Sequence, residues 1–296
     1  KSRGYISYLR GENPINFPLR LYPDIKYRLN GKLVKQDKLA ISPEEAPKKD
    51  IFSKDIENPL RFLITYKDTL KGYQKKIYKE YKSELDKDKK IGINKLLPQI
   101  CNIVYPSKRS FDYGERGFKE VFNKSGHGFE YKDKDEPILN YDKIYEYSAK
   151  IKNILRKIKS SEGIIFIYSD YIWSGSLPIG LALEHIGFNK YGDKNLLNHE
   201  DVEEPLSYDM KKKISDYSDK SLFKQANYII LSGNDSISGD NDNELKILKS
   251  EENKNGELIK VVIGSSITGE GIDFKNIREI HVLDPWYHLN KLEQII

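Results

Sequence analysis

Val261-Val-Ile-Gly-Ser-Ser-Ile-Thr-Gly-Glu-Gly-Ile-Asp-Phe274, followed by Ile280-His-Val-Leu-Asp-Pro-Trp286 and Leu292-Glu-Gln-Ile-Ile296, is the stretch whose reading decides the fold. A β-branched run enters a loop of small residues that ends Gly-Glu-Gly-Ile-Asp. A second short strand and the start of a helix follow. Working back toward the N-terminus, the same alternation recurs. Gly163-Ile-Ile-Phe-Ile-Tyr168 and Tyr228-Ile-Ile-Leu231 are continuous apolar runs, as expected of strands buried on both faces of a parallel sheet. Leu258–Ile263 and Ile280–Leu283 read as two further strands. Ser148 is placed to cap a helix running through Ile158, with Ile151, Ile154, Leu155 and Ile158 on one face. A helix over 177–186 ends at Gly187, and Glu244–Leu248 is helical. Strand and helix alternate, so the spacing predicts an α/β fold with a parallel sheet flanked by helices. The segment from Lys190 to Lys220 carries no landmark and reads as a long charged insertion.

Upstream of Tyr141 the texture differs, and the expected division is an inserted or linker region over 1–140, mainly helical, then an α/β lobe over 141–296. Residues 1–50 are irregular, with a short strand near Tyr5, Tyr8 and Leu9 and a polar linker over 41–50. Leu70, Tyr73, Ile77, Tyr81 and Leu85 recur at three- and four-residue steps, which predicts a helix over 68–85. Its lysines, Lys75, Lys76, Lys79 and Lys82, fit either a solvated face or a face laid along a nucleic-acid backbone. Two more helices are expected at 96–104, stopped by Pro106, and at 113–122. Lys124–Phe129 and Lys132–Pro137 read as loops.

The chain has 296 residues, 50 Lys and Arg against 45 Asp and Glu, and a net charge of +5. That balance permits nucleic-acid binding without establishing it. Cys101 is the sole cysteine, so no intrachain disulfide and no multi-cysteine metal site can form, and the compartment reads as reducing. No apolar run of membrane-spanning length occurs, and the opening residues read as no leader peptide. Met210 is the sole methionine and the first residue is Lys1; the expectation is a piece of a longer protein. The five histidines show no metal spacing, and His281, alternating with apolar neighbours, reads as a packed or hydrogen-bonded core residue.

In such sheets, ligands gather at the carboxyl ends of the strands. The loop from Gly264 to Gly271 sits at one of them. Its small residues admit a phosphate close to the backbone, and the hydroxyls of Ser265, Ser266 and Thr268 can donate to phosphate oxygens. Asp273, just past Gly269 and Gly271, can accept from ribose hydroxyls. A tight turn capped by an aspartate is the plainer alternative. Lys150, after the helix cap, either reaches a phosphate or is solvated. Trp173 and Trp286 either stack on a base or pack between elements.

The 261–274 stretch resembles motif V of the second RecA-like domain of superfamily 2 helicases and translocases, and Gln294 falls at the opening of motif VI. Gly163-Ile-Ile-Phe-Ile-Tyr-Ser-Asp170 resembles motif IV. Asp284-Pro-Trp-Tyr-His288 resembles the chromatin-remodeller branch. A closer resemblance combines Gly4-Tyr-Ile-Ser-Tyr-Leu-Arg-Gly11, Tyr147-Ser-Ala-Lys-Ile151, Phe166-Ile-Tyr-Ser169 with Gly175 downstream, and Gly269-Glu-Gly-Ile-Asp273. In that order they resemble the helicases of large nucleocytoplasmic DNA viruses, related to poxvirus nucleoside triphosphatase I and the small early-transcription-factor subunit.

The resemblance implies a truncated RecA-like lobe. It places Ser169 and Ser265 on a nucleic-acid backbone and Gly271 and Asp273 toward a nucleotide; the residues' own chemistry adds Thr268 and Lys150 to the first expected set, and Gly269 and Gln294 are expected with the second. It implies ATP with Mg2+, held mainly by a missing N-terminal lobe, a DNA or RNA track, and a viral RNA polymerase as a further partner. The implied place is the virion or the host cytoplasm. No Gly-x-x-x-x-Gly-Lys-Ser/Thr occurs, so the loop that cradles the β- and γ-phosphates is absent. The arginines of motif VI, which stabilise charge at the γ-phosphate, would lie beyond Ile296. Asp135-Glu-Pro-Ile138 follows a charged loop and is a poor Walker B box. No catalytic residue is therefore expected within this chain, which by itself should not hydrolyse ATP. The rivals are a non-catalytic docking module on a viral RNA polymerase and a duplex-DNA translocase of the remodeller type.

Overall fold

The computed structural model describes residues 68–88, 96–108, 112–198, 202–234, 237–238, 241–265 and 274–284. The chain divides into two units, Lys1–Lys67 and Asp68–Ile296, and every described residue lies in the second. The readings made for 1–67 fall outside the described residues.

Three helices come first: α1 (Gly72–Asp88), α2 (Leu96–Asn102) and α3 (Gly114–Val121). A short antiparallel hairpin follows, β1 (Phe122–Ser125) and β2 (Gly128–Tyr131). The sequence places a loop there; the structure closes a two-residue turn on Gly126, whose φ is 60°. The strands are four residues each and half polar, too short for a period-two signal to register. Next come α4 (Ala149–Ile158), β3 (Ile164–Tyr168), α5 (Leu177–His185), β4 (Asn189–Lys190), β5 (Asn227–Leu231), α6 (Asn241–Leu248), β6 (Val261–Gly264) and β7 (Ile277–Val282).

β3 through β7 form one sheet in the order β4-β5-β6-β3-β7, every pairing parallel. This is the RecA-like α/β architecture, with a mainly helical region ahead of it. Alternate residues of each strand face opposite layers. Ile165, Ile167, Tyr228, Ile230, Val261 and Ile263 pack with α4, α5 and the upstream residues Phe118, Phe129 and Tyr131. Ile164, Phe166, Ile229, Leu231 and Val262 face the other layer, with Leu248 of α6 and Phe274.

Local chemistry explains the element ends. Ser148 accepts from Ile151 N at 3.1 Å, the N-cap expected for α4. Gly187, at φ 96°, follows α5, and a Cβ there would lie 2.4 Å from Glu204 O, so only glycine fits. The segment from Lys190 to Lys220 is not merely a charged surface insertion. Leu196, Leu197 and Leu206 are buried in the main core, and β4 supplies the sheet's edge.

Candidate functional site

The strand order creates a gap. β3 leads into α5, which lies on one face of the sheet, while β6 leads to Phe274, which packs on the other against Phe166 at 4.9 Å between ring centroids. Neighbouring strands whose connections leave on opposite faces open a crevice beyond their carboxyl ends, where α/β proteins bind ligands. Ser169 and Ser265 sit at this point. Ser169 N donates to Gly264 O at 3.0 Å and Ser265 N to Leu231 O at 3.2 Å, continuing the ladder one residue past the strands. Both are buried.

Asp284, just past β7, ties the carboxyl ends of β3 and β7 together beside this gap. It is 6% exposed. One carboxylate oxygen accepts from Ser169 Oγ at 2.5 Å and Asp170 N at 3.1 Å; the other accepts from Asn102 Nδ2. Burial pushes the carboxyl above its ordinary range, against the lowering pull of Ser169, Asn102 and Lys150. Ser169 spends its hydroxyl proton on Asp284 and accepts from Tyr171 N at 3.3 Å. It holds the carboxylate in place.

Lys150, in the first turn of α4, reaches the same network. Its ammonium donates to Asn102 Oδ1 at 2.8 Å and to Leu283 O at 2.9 Å. An ammonium has three donors, so one remains. Asn102 thus bridges the lysine and the aspartate through its side chain, while its carbonyl accepts from Ser148 Oγ. Gln74 of α1 supports the arrangement. Its side chain donates to Ile100 O at 2.9 Å and Cys101 O at 3.1 Å, and accepts from Ala149 N at 3.0 Å. It satisfies the free carbonyls of one helix end and a free N–H of another helix start.

The link from β3 to α5 is a π-turn over Ile172–Ser176. Pro178 explains it: the ring cannot donate and crowds the carbonyl four residues back, so the preceding turn widens. Ser176 N donates to Tyr171 O at 2.9 Å, a five-residue step. The carbonyl of Trp173, whose five-residue partner would be Pro178, accepts instead from Tyr105 Oη at 2.5 Å. Gly175 lies directly against Ser169; a Cβ there would lie 2.7 Å from Ser169 Cβ.

The structure therefore brings Ser169 and Lys150 together around Asp284, with Ser265 at the end of the adjacent strand. Thr268, Gly269, Gly271, Asp273 and Gln294, like Ser266 and Trp286, lie outside the described residues. Trp173 packs at 5.2 Å from Phe118 between ring centroids, the packing alternative. His281 Nε2 lies 2.9 Å from Glu279 Oε1. Sequence reasoning missed Asn102, Gln74 and the role of Asp284. Asn102 closes a short helix with no pattern around it, and its partner is 182 residues away; no local signal exists for such a pair.

No family model matches the chain. Among curated proteins, one named as an ATP-dependent RNA helicase of Acanthamoeba polyphaga mimivirus is 24% identical over 312 residues, covering 99% of this chain and 38% of its own length. A protein named as a helicase of Invertebrate iridescent virus 3 is 28% identical over 76% of this chain and 20% of its own. A termination factor NPH-I homologue of African swine fever virus is 25% identical over 50% of this chain and 22% of its own. The chain thus spans 20 to 38% of the length of these relatives. The chain is thus similar to proteins named as helicases of several large DNA viruses, and this likeness, with the five-stranded parallel sheet, is consistent with the C-terminal region of a viral superfamily 2 helicase.

Proposed function

We propose that this chain is the C-terminal half of an ATP-dependent nucleic-acid motor of the superfamily 2 type, used in viral transcription. The observation that carries this reading is the strand order, with its switch point between β3 and β6, and the Ser169–Asp284–Asn102–Lys150 network that ties the ends of β3 and β7 beside it. The third N–H of Lys150 donates to a backbone phosphate, and Ser265 lies one strand over on the same track. Ser169 acts through Asp284, fixing the strand end rather than touching the nucleic acid. The residues assigned to a nucleotide shared with a partner lobe are Gly269, Gly271, Asp273 and Gln294, on the sequence resemblance alone. ATP, when bound with Mg2+, supplies the free energy that opens and closes the two lobes. The chain's own residues grip and release the backbone, which turns each cycle into a step. The parent works in the virion or the host cytoplasm.

The test is phosphate release by the parent protein with and without single-stranded and duplex nucleic acid. Stimulation by nucleic acid, lowered about tenfold or more by Lys150→Ala or Ser265→Ala with little change in the basal rate, is the expected result; a group used only in the activated state costs on that scale. This chain alone is expected to release no phosphate. A parent whose hydrolysis ignores nucleic acid overturns the motor reading, and one that hydrolyses nothing points to the docking module.

A further inference from the structure

Lys150 has two carboxylates within electrostatic reach and is paired directly with neither. Burial raises the carboxyls of Asp68 and Asp284 above their ordinary range, and Lys150 pulls both back down. Yet among the described residues no ion pair joins Lys150 to a carboxylate. Each aspartate is bonded instead to an amide, Asp284 to Asn102 Nδ2 and Asp68 to Asn153 Nδ2. The two partners of the ammonium, Asn102 Oδ1 at 2.8 Å and Leu283 O at 2.9 Å, are neutral oxygens.

Asn102 keeps the charges of the strand-end network apart. It is wholly buried at the end of α2. Its neighbours fix which way the amide points, because only its oxygen can accept from the ammonium and only its nitrogen can donate to Asp284. Its own carbonyl is held by Ser148 Oγ, and Gln74 holds the two carbonyls before it. The opposite arrangement, aspartate at 102 and asparagine at 284, would keep every one of these hydrogen bonds. It would also set a carboxylate against the ammonium, in a charge-assisted bond stronger than the one present. The chain has the arrangement that forgoes that bond. Coulomb attraction falls with distance, so a carboxylate one amide away draws on the lysine about half as strongly as one in contact. An ammonium tethered by neutral oxygens, with one N–H to spare, keeps its charge for an anion from outside.

We propose that Asn102 is a positioning residue for the nucleic-acid contact: supplied by the upstream helices, it aims the Lys150 ammonium and insulates it from Asp284, so that the third N–H meets a backbone phosphate. Asn102 acts only through Lys150, so this role rests on the reading of that lysine as a backbone contact.

The test exchanges the two groups. Asn102→Asp alone sets two carboxylates face to face, and Asp284→Asn alone leaves one N–H donor facing another. Each is expected to lower the thermal midpoint of the whole chain by about 5 °C. The double variant N102D/D284N restores the bond and is expected to recover most of that loss. Binding is then measured on the parent protein with labelled duplex DNA, by fluorescence anisotropy over a range of salt. Lys150→Ala is expected to weaken it about eightfold near 0.1 M salt and to lower the salt slope by about 0.9, the yield of one phosphate contact. The double variant is expected to do the same although it folds, because its lysine is neutralised in place; a merely structural role would leave the slope unmoved. A double variant that folds and binds like the unsubstituted protein, slope included, overturns the proposal, while the loss in Lys150→Ala keeps the backbone contact standing. An exchange that recovers no stability overturns it as well, since the two groups are then not partners. Lys150→Ala with affinity and slope unchanged overturns both the role of Asn102 and the contact beneath it.

Discussion

Glu184 and His185, consecutive at the end of α5, are both buried and displaced in opposite directions. Burial pushes Glu184 up to about 7, against the lowering bonds it accepts from Tyr228 Oη at 2.6 Å, Leu196 N at 2.8 Å and Leu197 N at 2.6 Å. Burial pushes His185 down to about 4, and its Nε2 lies 2.7 Å from Tyr131 Oη. For Glu184 the folded state holds its proton longer than the unfolded one, so stability falls as pH rises from about 4.5 to about 7. For His185 the unfolded state takes the proton first, so stability falls as pH drops from about 6.5 to about 4. The two slopes oppose each other over nearly the same window. Chemical denaturation of Glu184→Gln is therefore expected to show stability rising with pH between 4 and 6.5, by about 3 kcal/mol, while His185→Gln shows it falling. Parallel slopes in the two variants would refute the assignment. A second prediction concerns Gly175. Gly175→Ala presses a methyl onto Ser169 and is expected to cost about 1–3 kcal/mol by overpacking, read as a lower denaturation midpoint. Ser148 was legible at this scale because its bond stays within one turn. Glu184 and Asn102 were not, because a buried polar group is defined by partners brought from far along the chain.

At the scale of elements, the buried runs at 164–168, 227–231 and 261–264 declared themselves, since a strand covered on both faces needs no alternation. The helix over 177–185 did too, down to its glycine stop. Its π-turned entry did not. Pro178 at the second position of a helix is ordinary; its displacement of the preceding turn becomes visible only with Tyr105 bound to the freed Trp173 carbonyl. Tyr105→Phe strands that buried carbonyl and is expected to lower stability by about 1–3 kcal/mol. In Pro178→Ala the restored N–H can take up the carbonyl, so Tyr105→Phe should cost measurably less on that background in a double-mutant cycle. Equal costs in both backgrounds would argue against this account of the turn. The β1–β2 hairpin escaped the sequence reading because four-residue polar strands draw their stability from what they pack on.

At the scale of the whole molecule, α3 and the hairpin share one apolar core with the sheet, while α1 and α2 meet in a separate cluster around Ile77, Ile100 and Val104. Phe118 stacks on Phe122 at 4.5 Å, meets Phe129 edge-on at 5.0 Å and touches Trp173 at the mouth of α5. Phe118→Ala is expected to cost about 3–5 kcal/mol and to raise hydrogen exchange in the hairpin and in α5 together. Exchange confined to the hairpin would mean that the two regions open independently. By itself the sequence determined the α/β class, the buried strands, the capped helix at Ser148 and the glycine-rich exit from β6. These depend on residues within a turn or a strand of one another. Only the tertiary structure decided the strand order, with its switch point between β3 and β6, and the convergence of Asn102, Lys150, Ser169 and Asp284 at the ends of β3 and β7. Such a network is set by loop closures spanning up to 182 residues and by burial that obliges each polar group to find its partners inside the fold. Neither is encoded in the spacing of neighbours along the chain.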